Sequence, residues 1–182
     1  MQQLDISNFV FLDTETTGLS NAAQAVEIAV VDATGAVLID TYVKPTVPVE
    51  DGAAAVHGIT AQQLAQAPAL PEIWPRLLEV LQGRIIAIYN ADYDTRILRQ
   101  SAQAHGLDIT PLVNLDVVCV MRSYARYWGD YNKYRKSFVW QSLSAAIYQQ
   151  ELTVPPGMRL HSALADAEMT RLLALRMAGE LR

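Results

Sequence analysis

The stretch Phe9-Val10-Phe11-Leu12-Asp13-Thr14-Glu15-Thr16-Thr17-Gly18-Leu19 decides how the rest of the chain is read. Four apolar residues run directly into two acids and a turn that ends on glycine. A short continuous apolar run bounded in this way has the character of a strand buried on both faces. Side chains alternate along a strand, so Asp13 and Glu15 point to the same side. Two carboxylates at the end of a buried strand repel each other and lose hydration. A bound hard cation, Mg²⁺ or Mn²⁺, relieves both penalties. The competing reading is that the acids merely mark where the strand leaves the core, and this stretch alone does not separate the two.

Working outward, Val26 to Val31 and Val37 to Val43 are rich in β-branched residues, with Asp32-Ala33-Thr34-Gly35 as a hairpin turn between them. These give three consecutive antiparallel strands. A small-residue loop then leads to Val56-His57-Gly58-Ile59-Thr60, where Thr60 caps a short helix running through Ala67. Pro71 opens a second helix that ends near Gly83, and Pro75 is placed in its first turn too. Ile85 to Tyr89 forms a fourth strand. A helix ending near Gly106 follows, with Tyr93, Ile97, Leu98 and Ala102 at helical spacing. Leu112 to Val118 reads as the fifth strand. Strand–helix–strand order implies parallel pairing. The expected class is therefore α/β, a mixed five-stranded sheet of three antiparallel and then parallel strands, flanked by helices. Residues 119–139 fix no element, Trp140 to Gln149 reads as a helix, Pro155-Pro156-Gly157 breaks the chain, and a last helix runs from about Ser162 to Ala178.

With 182 residues and 51% hydrophobic content, the chain suits a single domain, 1–182, able to bury roughly 70% of its unfolded surface. No apolar run approaches the ~20 residues of a membrane span. No signal peptide is visible. Cys119 is the single cysteine, which excludes an internal disulfide and a cysteine metal cluster. Together these give the expectation of a cytoplasmic protein without a membrane partner. The net charge of −5, from 14 basic and 19 acidic residues, argues against a broad basic face for duplex DNA. The charge is uneven, however. Residues 122–136 hold Arg122, Arg126, Lys133, Arg135 and Lys136 against Asp130, a local +4 that leaves −9 on the remainder. Tyr124, Tyr127, Trp128, Tyr131 and Tyr134 are interleaved with those charges, a pattern suited to holding a nucleic-acid strand.

Further acids sit in telling places. Asp94 falls in the first turn of the helix after the fourth strand, where it either serves the helix dipole or joins chemistry at a strand end. Asp166 shares a stripe of the last helix with Ala163, Ala167, Thr170, Leu173 and Met177. A carboxylate in so apolar a stripe needs a metal or a cationic partner such as arginine. His161 lies five residues earlier, which on one helix would put it about 140° away from Asp166. Placed just before the helix begins, its ring can approach the same acids, and histidine suits general-base work near neutrality.

Asp13-Thr14-Glu15, Asn90-x-x-x-Asp94 and His161-x-x-x-x-Asp166 resemble, in order, the three motifs of DEDDh-type, DnaQ-like 3′–5′ exonucleases of the ribonuclease H-like fold. The resemblance spans nearly the whole chain; Tyr93 departs from it, standing where phenylalanine is common, and Pro155-Pro156-Gly157 looks like the exonuclease X subgroup. It implies two divalent ions, Mg²⁺ or Mn²⁺. Asp13, Glu15 and Asp166 would hold one, Asp13 would bridge to the second, and Asp94 would act on the second. His161 would deprotonate the attacking water. Thr14, Thr16 and Thr17 would contact the terminal nucleotide, Leu19 would act as an apolar wedge, and His57 would pack on the terminal sugar and base. For His57 the alternative is a turn histidine capping the next helix. Asn90 is expected to fix its loop more than to touch substrate. Two such ions about 3.5–4 Å apart stabilise an attacking hydroxide and a leaving 3′ oxygen. The product would be nucleoside 5′-monophosphate, from a single-stranded or frayed DNA 3′ end.

Within the same family, an exoribonuclease or oligonucleotide degrader is the alternative. An inactive nucleic-acid-binding scaffold is disfavoured by the complete set of acids and histidine. A haloacid-type phosphatase would need a second aspartate where Glu15 stands. The chain runs 16 residues past Asp166, which leads to the expectation of a stand-alone repair or turnover enzyme, with replication or repair proteins as its protein partners.

Overall fold

The computed structural model describes residues 7–179. In chain order the elements are β1 (Phe9–Thr16), β2 (Ala25–Asp32), β3 (Val37–Tyr42), α1 (Asp51–His57), α2 (Ala61–Gln66), α3 (Leu70–Leu81), β4 (Ile85–Ile88) and α4 (Ala91–Ala104). They continue with α5 (Thr110–Val113), β5 (Asp116–Cys119), α6 (Val120–Trp128), β6 (Tyr131–Asn132), β7 (Ser137–Phe138), α7 (Leu143–Gln149) and α8 (Ala163–Ala178). The main sheet has the order β3-β2-β1-β4-β5. β1 pairs antiparallel with β2, and β2 with β3, while β1–β4 and β4–β5 are parallel. The mixed sheet anticipated from the sequence is the one that forms.

β1 lies at the centre, and its alternation divides the core. Val10 and Leu12 pack with Ile28, Leu77, Leu81, Ile97 and Leu98 under α3 and α4. Phe9 and Phe11 pack on the opposite face with Tyr124, Ala146, Ala167 and Leu173 of α6, α7 and α8. Asp13 and Glu15 continue the Phe9–Phe11 row, so they project on the α8 side. β1 and β4 are parallel, which brings the end of β1 and the start of α4 to one edge of the sheet. A register shift between Glu15 and Thr16 marks a bulge at that edge, a common device for re-aiming side chains beside a site.

Several expectations are corrected. The small-residue loop is the helix α1, because Ala53-Ala54-Ala55 favours helix over loop. It stops at Gly58, whose φ of 72° admits the left-handed cap. Pro75 sits inside α3, beyond its first turn; the first turn is closed instead by Glu72, whose Oε1 accepts from the Ala69 N–H at 2.7 Å. The proposed Leu112–Val118 strand is two elements. Pro111 starts the short α5, and only Asp116–Cys119 pairs with β4. The helix expected from Trp140 begins at Leu143, where Ser142 Oγ accepts from the Ala145 N–H at 3.1 Å. Residues 119–139 form α6 and the β6–β7 hairpin.

Candidate active site

Asp13, Glu15 and Asp166 converge. Each offers a carboxylate oxygen, and these oxygens lie within 4.8 Å of one another. β1 aims the first two, and the first turn of α8 brings in the third. Asp166 also accepts from the His161 backbone N–H at 3.4 Å. Asp94 approaches from the α4 side of β1. Its Oδ1 accepts from the Thr14 N–H at 3.1 Å and the Thr14 hydroxyl at 2.7 Å. Asp94 is only 3% exposed, and its charge is the strongest carboxylate influence on Asp13. It therefore stands behind the three-acid cluster, held through Thr14.

A fifth acid completes the group. Glu27 stands directly opposite Glu15 across β1 and β2. It is buried, and its Oε2 accepts from the Ala163 N–H at 3.0 Å, satisfying one of the open donors at the start of α8. Like charges placed directly across a strand pair destabilise the sheet. Burial, followed by mutual repulsion, pushes the Asp13 carboxyl well above the ordinary range and raises Glu15 to about 8. Burial raises Asp94 to about 7 against the lowering effect of Thr14. It also raises Glu27 and Asp166. Among the described residues the salt bridges are Arg76–Glu79, Arg122–Asp92 and Arg171–Glu168. None involves these acids, so the arginine partner considered for Asp166 is not found there. A cluster of half-buried hard oxygen donors without a salt bridge among the described residues, with Arg159 and His161 as the cationic side chains that act on it, fits a divalent ion such as Mg²⁺ or Mn²⁺, and Asp13, Glu15 and Asp166 can hold one.

A cavity of about 570 Å³ opens beside Glu15. Thr14, Thr16, Leu19, His57 and Asn90 line it, as do Glu50 and Tyr93. Leu19 is 77% exposed at its edge. Thr17 is not among the lining residues. Its hydroxyl accepts from the Gln24 N–H at 3.0 Å, and its carbonyl accepts from the Glu50 N–H at 2.8 Å, so it braces the loop. Both readings of His57 meet here: Nδ1 accepts from the Ile59 N–H at 2.9 Å, while buried Nε2 has no hydrogen-bond partner among the described residues. Burial lowers its pKa, favouring the neutral ring. The Asn90 side chain makes no capping bond, while its carbonyl accepts from the Tyr93 N–H at 2.9 Å and the Asp94 N–H at 3.3 Å, holding the start of α4. His161 precedes the Ser162 cap with φ 65°, outside α8 and exposed, so the helical angle does not separate it from Asp166.

Two contributors escaped the sequence reading. Glu27 was legible as the lone acid within the apolar run Ala25–Val31. The Tyr93 hydroxyl shares a hydrogen bond with Thr16 Oγ1 at 2.7 Å and donates to the Gly18 carbonyl at 3.0 Å. It ties α4 to the loop that presents Leu19, a contact phenylalanine would lack.

Comparison with known proteins agrees with this geometry. The exonuclease family model (RNase_T) matches residues 10–173. An uncharacterized exonuclease, CP81, of Escherichia phage 186 is 37% identical over 88% of this chain and 83% of its own length. A DNA polymerase III subunit epsilon-like protein of Rhodobacter capsulatus is 32% identical over 98% of this chain, which spans 25% of that longer protein. A structure of exonuclease X in complex with 5′-overhanging duplex DNA superposes with a TM-score of 0.71 at 26% identity, covering 94% of this chain and 91% of that one. The chain belongs to the exonuclease family, as a DEDDh-type, DnaQ-like member with the ribonuclease H-like fold.

Proposed function

We propose that this protein is a metal-dependent 3′–5′ exonuclease that releases nucleoside 5′-monophosphates from single-stranded or frayed DNA ends. The observation that carries the proposal is the convergence of Asp13, Glu15 and Asp166 within 4.8 Å beside a cavity of about 570 Å³, in a chain of the exonuclease family. DNA is favoured because exonuclease X, 26% identical, is seen with duplex DNA bearing a 5′ overhang. The whole of 1–182 acts as one exonuclease domain. No helix among the described residues is long and apolar enough to cross a membrane, and we place the enzyme in the cytoplasm.

Asp13, Glu15 and Asp166 would hold a first divalent ion, and Asp13 with Asp94 would serve a second. When bound, the ions supply Lewis-acid stabilisation at the attacking water and at the leaving 3′ oxygen. The chain's own groups do the rest. His161, exposed beside Asp166, takes the proton of the attacking water. Thr14 and Thr16 orient the terminal nucleotide. Leu19 intrudes on the terminal base, and neutral His57 packs against its sugar. Thr17 acts on substrate only through the loop it braces, and Asn90 offers a free amide to the cavity.

The test is incubation of matched, 5′-labelled DNA and RNA 20-mers with Mn²⁺ or Mg²⁺. DNA should shorten one nucleotide at a time from its 3′ end, with 5′-monophosphates as product. Interior cuts, or intact strands with every divalent ion, would refute the proposal, and faster decay of RNA would overturn the sugar preference. His161→Ala should lower turnover about 10²–10⁴-fold while Mn²⁺ affinity stays within a few-fold. Parallel loss of both would contradict its role as base.

A further inference from the structure

The basic, aromatic run beyond β5 folds into a braced arm. Asn132 Oδ1 accepts from the backbone N–H groups of Tyr134 at 3.0 Å and Arg135 at 2.9 Å. The Val139 N–H donates to the Asp130 carbonyl at 2.8 Å, closing the base of the β6–β7 hairpin. The Tyr131 and Phe138 rings meet edge-on at 5.3 Å. Lys136 adopts φ 51° to complete the turn. The result is a fixed tip on which Lys133, Tyr134, Arg135 and Lys136 are all exposed, Tyr134 by 99%. Among the described residues none of these three cations is in a salt bridge. Three like charges on one short turn repel each other, and an anionic partner relieves that repulsion.

The arm is anchored at the catalytic edge of the sheet. The Tyr89 hydroxyl, one residue before Asn90, donates to the Gln141 carbonyl at 2.8 Å. Arg122 pairs with Asp92 in the first turn of α4, two residues from Asp94. The same guanidinium lies 6.0 Å from the centre of the Trp140 ring, which is 61% exposed. A groove of about 490 Å³ is lined by Asn132, Arg135 and Phe138 of the hairpin region together with Trp140. Cations interleaved with exposed aromatic rings suit a strand that carries both phosphates and bases, since rings stack bases while cations take the backbone. An acidic polypeptide would use the charges but leave Tyr134 and Trp140 without a role.

We propose that the β6–β7 hairpin and Trp140 hold the single-stranded segment lying 5′ of the nucleotide being removed. Phosphates lie along Lys133, Arg135 and Lys136, and bases stack on Tyr134 and Trp140. This rests on the exonuclease reading above, and the test separates the two. Two variants, K133Q/R135Q/K136Q and Y134A/W140A, are assayed beside wild type on a DNA 20-mer and on a dinucleotide, which has a single nucleotide on that side and no strand beyond it. On the 20-mer, kcat/KM should fall at least roughly thirtyfold for the aromatic variant, which removes two stacking rings. For the charge variant, the slope of log Kd against log salt should become shallower by about 2, at ~0.7 per single-strand phosphate contact. On the dinucleotide both variants should stay within about twofold of wild type, which also shows that the fold is intact. Equal losses on both substrates, or no loss on the 20-mer, would overturn the arm. So would an unchanged salt slope, or capture of polyglutamate in place of the strand. A wild type that cleaves neither substrate would instead refute the exonuclease reading.

Discussion

Glu15 and Glu27 face each other across β1 and β2, and a sheet gains nothing from that pairing. Glu27 nonetheless serves as acceptor for the Ala163 N–H, a task that needs an oxygen and no charge. Glu27→Gln keeps the acceptor and removes the repulsion. It should stabilise the metal-free protein at pH 8 by about 0.2–1 kcal/mol, read from urea unfolding; a loss of stability would contradict the pairing described. At this scale the sequence was legible where residue type and spacing carried the signal. Asp13, Glu15 and Asp166 were named and converge. That the Thr17 hydroxyl also accepts from the Gln24 N–H is not legible in the sequence, because partners seven residues away are set by the loop and not by spacing.

The N-terminal turn of α8 assembles three parts of the site: His161 just outside it, Asp166 inside it, and the Ala163 N–H that fixes Glu27. Ser162 caps this turn by accepting from the Ala165 N–H at 3.4 Å. That long bond places Ser162→Ala at the low end of capping effects, a destabilisation of about 0.5–1 kcal/mol. Thermal or urea unfolding measures it, and an unchanged midpoint would mean that the cap does not hold the turn. Strongly periodic elements such as α4, and the β2–β3 hairpin with its Asp-Ala-Thr-Gly turn, were readable from pattern alone. α1 was not, since Gly52 and three alanines carry no apolar period. The β6–β7 hairpin was not either, because its strands are two residues each and its turn is held by Asn132 rather than by a hydrophobic pattern.

Across the whole molecule the acids make stability depend on pH. Glu15 titrates at about 8 and Asp94 at about 7 in the folded chain, while unfolded carboxylates titrate near ~4. Between those values the unfolded chain has released protons that the folded site retains, so stability falls as pH rises. The contribution is complete below about pH 4 and is lost as pH passes the folded values. In EDTA, calorimetric Tm should therefore decline from pH 5 to 8.5, and Mn²⁺ should restore it increasingly at the higher pH, because metal displaces protons from its ligands. A metal-free Tm that rises over this interval would contradict the linkage. The most direct test of the convergent site is calorimetric titration of Mn²⁺ into wild type and Asp13→Asn. Wild type should bind with release of protons, and the variant should bind at least roughly tenfold more weakly. Equal binding by the two proteins, or none by wild type, would show that these carboxylates do not form a metal centre.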